Sequence, residues 1–295
     1  MCRFDFHIHS SASDGQDSPM DTIRLAQERG LDAIALTDHN TLSSAVFCAA
    51  YERHLDRSGE VGTRAIPGIE VSCCIEVCGV SDSVHVLGID IDPLGRAMVN
   101  LCDVLDARRH AEREESIGHA RTLGYPIGKE AEARVARSFW GRGPLARELV
   151  LEGYFDVVDE AYHAVFDPDF LSEQNLRQCV PAEDAVEAIH AAGGWAILAH
   201  PFRNESSRGY VSRPHVERRL DELEALGIDG IEAYYSSFSL EDCQWLEGLA
   251  KARGLLTSVG SDHHDRRHRD RMGTCCADGN NYGERASIAE ALGLA

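Results

Sequence analysis

Short apolar runs rich in Ile, Val and Leu recur between longer amphipathic stretches: Arg3–His9, Leu31–Thr37, Arg64–Val71, Val84–Ile91, Gly194–Ala199, Ile228–Tyr234 and Leu255–Val259. Runs of this length, separated by segments of helical period, predict parallel strands covered by helices, and their number predicts a seven-stranded α/β barrel. Helix punctuation agrees. Ser18-Pro19 supplies an N-cap and a proline at the first helical position, Gly30 closes that segment, and Ser239 to Gly254 repeats the design. Between the fourth and fifth runs the chain is polar and helical in pattern, with Asp106–Leu123 the clearest helix and Gly141-Arg142-Gly143-Pro144 a break. The expected organisation is a barrel built from 1–92 and 180–295, interrupted by a helical insertion subdomain over 93–179.

Length and composition narrow the class. A chain of 295 residues buries a large core, and α/β barrels of this size fold as one domain. No run approaches the roughly 18 apolar residues of a membrane span, and Met1 to His9 lacks the regions of a signal peptide. A cytoplasmic protein without a membrane partner is expected. Its 49 acidic against 29 basic residues give a formal charge of −20, which repels long nucleic acid but leaves small phosphorylated substrates and short oligonucleotides open. The spacings Cys73-Cys74-x3-Cys78 and Cys275-Cys276 do not match paired zinc motifs, so the cysteines read as thiols.

Chemistry gathers at the strand ends, where parallel α/β barrels place their active sites. His7-x-His9 ends the first strand and Asp14 follows; Asp38-His39 ends the second; Glu70 lies in the third and His85 in the fourth; His200 ends the fifth; Asp262 and His264 end the last. An H-x-H pair on an extended segment points both imidazoles to one side. Six histidines and three carboxylates in this pattern point to metal chemistry. Imidazole with carboxylate suits Mn, Fe or Zn, and the absence of thiolates argues against a closed structural zinc site.

The motifs H-x-H with a following D-G, T-D-H, G-I-E, an isolated His, A-H-P and S-D-x-H resemble the polymerase and histidinol phosphatase (PHP) family over nearly the whole chain. The resemblance implies a distorted (β/α)7 barrel with two or three divalent metal ions that hydrolyses phosphate esters by activating water, with no Ser or Cys nucleophile. It implies His7, His9, Glu70 and Asp262 around one metal, Glu70, His85 and His200 around a second, and Asp14, His39 and His264 around a third. Glu70, His200, Asp262 and His264 would then be the catalytic set; His200 and His264 are the candidates to protonate the leaving oxygen, but a metal-bound imidazole is a poor proton donor and neither is assigned as the general acid. His263 competes with His264 for its place, and Asp38 either orients His39 or caps its strand.

Relatives with such an insertion use its arginines for a second phosphate, which makes Arg108, Arg109, Arg113, Arg142 and Arg147 candidates, with Arg203 beyond His200. The run Arg266 to Arg271 is basic but reads first as a solvated loop. The leading expectation is a phosphomonoesterase for a nucleoside 3′,5′-bisphosphate or similar nucleotide. Gly141-Arg142-Gly143-Pro144 lacks the histidine common in such bisphosphatases, which keeps open a cyclic phosphodiesterase that opens a cyclic sugar phosphate. A non-catalytic binding module is the other alternative. An amidohydrolase is disfavoured because Lys129 and Lys251 lie away from strand ends.

Overall fold

The computed structural model describes residues 3–204, 209–265 and 271–294. The barrel begins with β1 (Phe4–Ile8), α1 (Pro19–Glu28), β2 (Ala33–Leu36), α2 (Ser43–Ser58), β3 (Arg64–Val77) and β4 (Val80–Ile89). Five helices follow: α3 (Arg96–Thr122), α4 (Lys129–Arg137), α5 (Arg142–Leu151), α6 (Val158–Val165) and α7 (Pro168–Gln178). The chain then returns through β5 (Val180–Pro181), α8 (Ala182–Ala191), β6 (Trp195–Leu198), β7 (Arg203–Asn204), β8 (Gly209–Tyr210) and α9 (Arg213–Ala225). It ends with β9 (Gly230–Tyr235), α10 (Leu240–Arg253), β10 (Leu256–Gly260) and α11 (Ile288–Ala291).

The main sheet runs β1-β2-β3-β4-β6-β9-β10 and nearly closes into a barrel, with β5 added to β3. Closure comes from the segment after β10: Asp262 N donates to His7 O, and His9 N donates to His263 O, each at 2.9 Å. All seven expected strands form. One is not parallel, because β4 runs antiparallel to both β3 and β6. The cause is local. Cys78 and Gly79 both take positive φ, 54° and 77°, forming a two-residue hairpin turn, whereas a parallel crossover needs a dozen or more residues. The strands therefore extend beyond their apolar stretches, and Glu70 and His85 lie within them rather than at their ends. The register pairs Glu70 with Leu87 and Ser72 with His85, so Glu70 and His85 are diagonal neighbours.

Ser18 caps α1 by accepting from Asp21 N, and Ser239 caps α10 by accepting from Asp242 N. These caps launch helices whose buried faces cover strands that are themselves buried throughout, such as Phe4–Ile8 and Gly230–Tyr235. Ile69, Val71, Val86, Leu87, Ile197, Ile231 and Val259 share one core with Val186 and Ile189 of α8. α3 is longer than Asp106–Leu123 because its first turns belong to that core through Met98, Leu101 and Leu105. Its later turns contribute Ile117 and Ala120 to a separate helical cluster with Val135, Leu145, Leu149, Val165 and Phe166. Among the described residues no helix is long and apolar enough to cross a membrane, and the nine cysteines there are free thiols.

Candidate metal centre

β1 delivers His7 and His9 to one side, their ring centroids 5.2 Å apart. His7 Nε2 lies 3.2 Å from Glu70 Oε2 and 3.5 Å from Asp262 Oδ1. His9 Nε2 lies 3.1 and 3.2 Å from the same two atoms. A second group surrounds Asp14, whose oxygens stand 3.4 Å from His264 Nε2, 3.7 Å from His9 Nδ1 and 3.8 Å from His39 Nε2. The third centres on Glu70: Oε1 meets His85 Nδ1 at 2.7 Å and His200 Nε2 at 2.9 Å, while Oε2 faces His39 Nδ1 at 3.1 Å. His9 and His39 each border two groups, a sharing the motif spacing did not contain. His263 faces away, its Nδ1 accepting from Arg271 N at 3.4 Å.

Several of these residues occupy unusual backbone. His200 and Asp262 take φ of 27° and 54°, conformations that L residues adopt rarely and that surrounding contacts must hold. Asp38 resolves one open alternative. Its carboxylate is fully buried and accepts from Ser10 N, Ser10 Oγ, Ser13 N and Ser13 Oγ. It ties down the loop carrying Asp14 rather than gripping His39.

Two buried carboxylates escaped sequence reasoning. Glu232 on β9 lies 3.0 Å from His7 Nδ1 and accepts from His200 N at 2.7 Å. Asp5 accepts from Ser261 N and Gly273 N. A signal for Glu232 existed, since Gly230-Ile231-Glu232 repeats the tripeptide Gly68-Ile69-Glu70. Tyr235 also belongs here, donating to Asp262 Oδ2 at 2.8 Å, beside Arg203, which donates to both at 2.9 and 3.1 Å.

The electrostatics favour cations. Burial alone would raise Glu70 and Asp262, but the imidazoles around them outweigh it and hold both carboxyls well below their usual range. Burial alone would depress His7 and His9; the carboxylates prevail, holding His7 well above its ordinary value and His9 at about 10. For His39 burial prevails, and the ring is pulled down to about 4. Asp5, with burial outweighing its N–H donors, rises to about 6.

Five buried atoms converge here without a hydrogen-bond partner: His7 Nε2, His9 Nδ1, His9 Nε2, His39 Nδ1 and Glu70 Oε2. Burying so many unsatisfied donors and acceptors together is costly and calls for a ligand. The facing atoms lie no more than 4.8 Å apart within His9, Asp14, His39 and His264, within His7, His9, Glu70 and Asp262, and within His39, Glu70 and His85. Nitrogen and carboxylate donors so disposed fit divalent metal ions.

The insertion reaches this centre through Trp140, whose Nε1 donates to Asp14 Oδ2 at 3.0 Å. Beneath it, Arg109 stacks 4.0 Å over the Phe139 ring, and Arg113 donates to the carbonyls of Ser138 and Phe139. Both arginines are buried, yet Arg109 Nε and Nη1 and Arg113 Nε have no hydrogen-bond partner. Arg142 pairs with Asn175 and Glu112, Arg108 donates to Cys179 O, and Arg147 lies exposed on α5. Of the basic run, residues 266–270 lie outside the described residues, while Arg271 donates to Ser236 and Ser237.

A family model described as the PHP domain matches residues 5–133. The chain is 32% identical over 279 residues to the 3′,5′-nucleoside bisphosphate phosphatase of Chromobacterium violaceum, covering 90% of the chain and 88% of that protein. It is 30% identical over 267 residues to a 5′-3′ exoribonuclease of Haemophilus influenzae, covering 89% and 90%. It is 29% identical over 264 residues to the phosphoribosyl 1,2-cyclic phosphate 1,2-diphosphodiesterase of Eggerthella lenta, covering 88% and 93%. Among solved structures, a Chromobacterium violaceum protein described as an amidohydrolase with bound sulfate and no metal superposes with a TM-score of 0.68 at 26% identity, over 91% of this chain and 89% of that one.

Proposed function

The chain belongs to the PHP family of metal-dependent phosphoesterases, and from that premise we propose that it removes the phosphomonoester of a nucleoside 3′,5′-bisphosphate or similar small nucleotide. The observation that carries this is the pairing of two features: a buried cage of orphaned imidazole and carboxylate atoms, and beside it Trp140 on a segment backed by arginines with unused donors. One site suits a reacting phosphate and the other a second phosphate. The bisphosphatase relative supports that order of preference.

Two or three ions of Mn, Fe or Zn would be held by His7, His9, Glu70 and Asp262, by Glu70, His85 and His200 with His39 at their edge, and by Asp14, His39 and His264 with His9. Bound there, they would supply an activated water and neutralise charge on the phosphoryl oxygens. The protein's own groups do the rest. Glu70 spans the groups, because each of its oxygens faces different imidazoles. Arg203, 27% exposed beside the half-buried Asp262, presents a cation beside the centre. Arg109 and Arg113 offer donors toward a second phosphate. His264 keeps 29% of its side chain exposed against 4% for His200, but its Nδ1 is engaged with the carbonyl of Asp262 and its Nε2 faces Asp14, so as a metal ligand it has no proton to give a leaving oxygen. Residues 93–179 act in this reading as a helical subdomain that closes over a barrel formed by 1–92 and 180–295.

The test is product formation by Mn-loaded protein: phosphate released from nucleoside 3′,5′-bisphosphates, sugar phosphates and a ribose 1,2-cyclic phosphate, and mononucleotides released from short oligoribonucleotides, with metal content measured on the same sample. Preferred turnover of bisphosphates is expected. Preferred turnover of the cyclic ester or of oligonucleotide 5′ ends would replace this substrate by the one named for the other relatives. No turnover at full metal occupancy would overturn the reading in favour of a binding module.

A further inference from the structure

Glu232 sits in the middle of β9 with no solvent exposure. Its two oxygens do different things: Oε1 faces His7 Nδ1 at 3.0 Å, and Oε2 accepts the backbone N–H of His200 at 2.7 Å. A neutral imidazole has one N–H and one lone pair, and an ionised carboxylate only accepts. With a metal on Nε2 the imidazole is neutral and its one proton sits on Nδ1, where Glu232 Oε1 stands ready to accept it. The lone pair is left on Nε2, the buried atom that has no hydrogen-bond partner and stands 3.2 Å from Glu70 Oε2.

We propose that Glu232 is the positioning residue of this centre, fixing His7 with Nε2 free to bind metal while its second oxygen holds the backbone of His200 in its left-handed turn. This rests on the reading of His7 and His200 as metal ligands.

Three features make the assignment specific. Oε2 meets His200 at a residue with φ of 27°, so the bond is made where the backbone needs support. The space for the carboxylate is kept by Gly260 on β10: a Cβ there would lie 2.1 Å from Glu232 Oε1 and 2.4 Å from His7 Cβ. Finally, Glu232 joins ligands from β1 and β6, which are not neighbours in the sheet. Tilting the carboxylate would disturb two metal groups at once. A glutamine in its place has one acceptor and one donor group, so it satisfies one of the two N–H groups and opposes the other.

Zinc-loaded protein, which is diamagnetic, allows a direct test. Proton–nitrogen correlation spectra of its imidazoles, with His7 assigned by comparison with His7→Gln, should find the His7 proton on Nδ1. Zinc affinity, measured by competition with a chromophoric chelator, should weaken about 10–100-fold in Glu232→Gln while circular dichroism is unchanged, and Glu232→Asp should recover part of it. A His7 proton on Nε2 in the wild-type spectrum overturns the proposal whether or not the variant folds. Zinc affinity lowered in His7→Gln but unchanged in Glu232→Gln overturns the positioning role alone. Unchanged affinity in His7→Gln overturns instead the metal-centre reading beneath it.

Discussion

Trp140 donates its indole N–H to Asp14 Oδ2 at 3.0 Å, and its ring meets His39 edge-on at 5.6 Å. The two residues are far apart in the chain, one on the β1–α1 loop and one on the connection between α4 and α5. This contact is the point at which the helical segment touches the candidate metal centre. Arg109 and Arg113 hold it from below through Phe139 and two carbonyls.

Trp140→Phe keeps the ring and removes the donor. Losing one partly exposed hydrogen bond to a carboxylate costs about 1 kcal/mol, or roughly five-fold in kcat/KM. The melting temperature should fall by only about 2–4 °C, since an aromatic ring still packs on Phe139. Steady-state kinetics beside a melting curve check this; unchanged kcat/KM would mean that the contact does not shape the working site.

Glu70→Gln should be far more severe. Each oxygen of Glu70 faces two or more imidazoles, and an amide nitrogen cannot serve those on its side. We expect kcat/KM to fall at least about 100-fold, equivalent to about 2.7 kcal/mol in the barrier, together with a loss of bound metal seen by elemental analysis. Retained turnover with full metal content would remove Glu70 from the centre.

The fold was legible where burial is two-sided. β1, β2, β6, β9 and β10 read as apolar runs because helices cover one face and the barrel interior the other. The outer half of the β3–β4 hairpin was not legible, because Ser72, Glu76, Ser81 and Asp82 break the run and a parallel barrel does not anticipate the two-residue turn. The strand-end histidines stood out as polar residues closing apolar runs. Asp5 did not, and Glu232 carried only its repeated Gly-Ile-Glu tripeptide, since a lone carboxylate inside an apolar strand reads as an interruption until its partner from another strand is known. Trp140 had no local signal at all. Its role exists only once the insertion is folded onto β1.

Asp82 and Arg219 offer a test of stability. Arg219 is 1% exposed and donates from Nε and Nη2 to both oxygens of Asp82, while its Nη1 donates to the carbonyls of Pro201 and Arg203 beside His200. Asp82→Asn would leave a buried guanidinium without its counter-charge, costing about 3 kcal/mol, or roughly 6–12 °C in melting temperature. Burial alone would raise the Asp82 carboxyl, but Arg219 and His215 prevail and lower it. A lowered value in the folded state means the stabilisation is complete above the unfolded value of about 4 and is lost as pH falls through the folded one. Denaturant titrations should therefore give a wild type that loses stability below about pH 4 more steeply than Asp82→Asn. Parallel curves would sink this assignment.

Asp38 governs the loop on the other side of the centre. Its four donors are Ser10 N and Oγ at 2.8 and 2.7 Å and Ser13 N and Oγ at 3.1 and 2.6 Å. Asp14 follows Ser13 directly, and Gly15 is pressed so close to His9 that a Cβ would lie 2.7 Å from its carbonyl carbon. The loop has little room to adjust. In Asp38→Asn the amide group would face N–H and O–H donors on one side, leaving buried groups unpaired at about 1–3 kcal/mol. The cost should fall on the group around Asp14, His39 and His264 rather than on that of Glu70, His85 and His200. We therefore expect one fewer bound ion per chain by mass spectrometry of the native protein, with kcat/KM reduced about ten-fold or more. A variant that binds the full complement of metal with unchanged kinetics would show that Asp38 supports the fold without setting the position of Asp14.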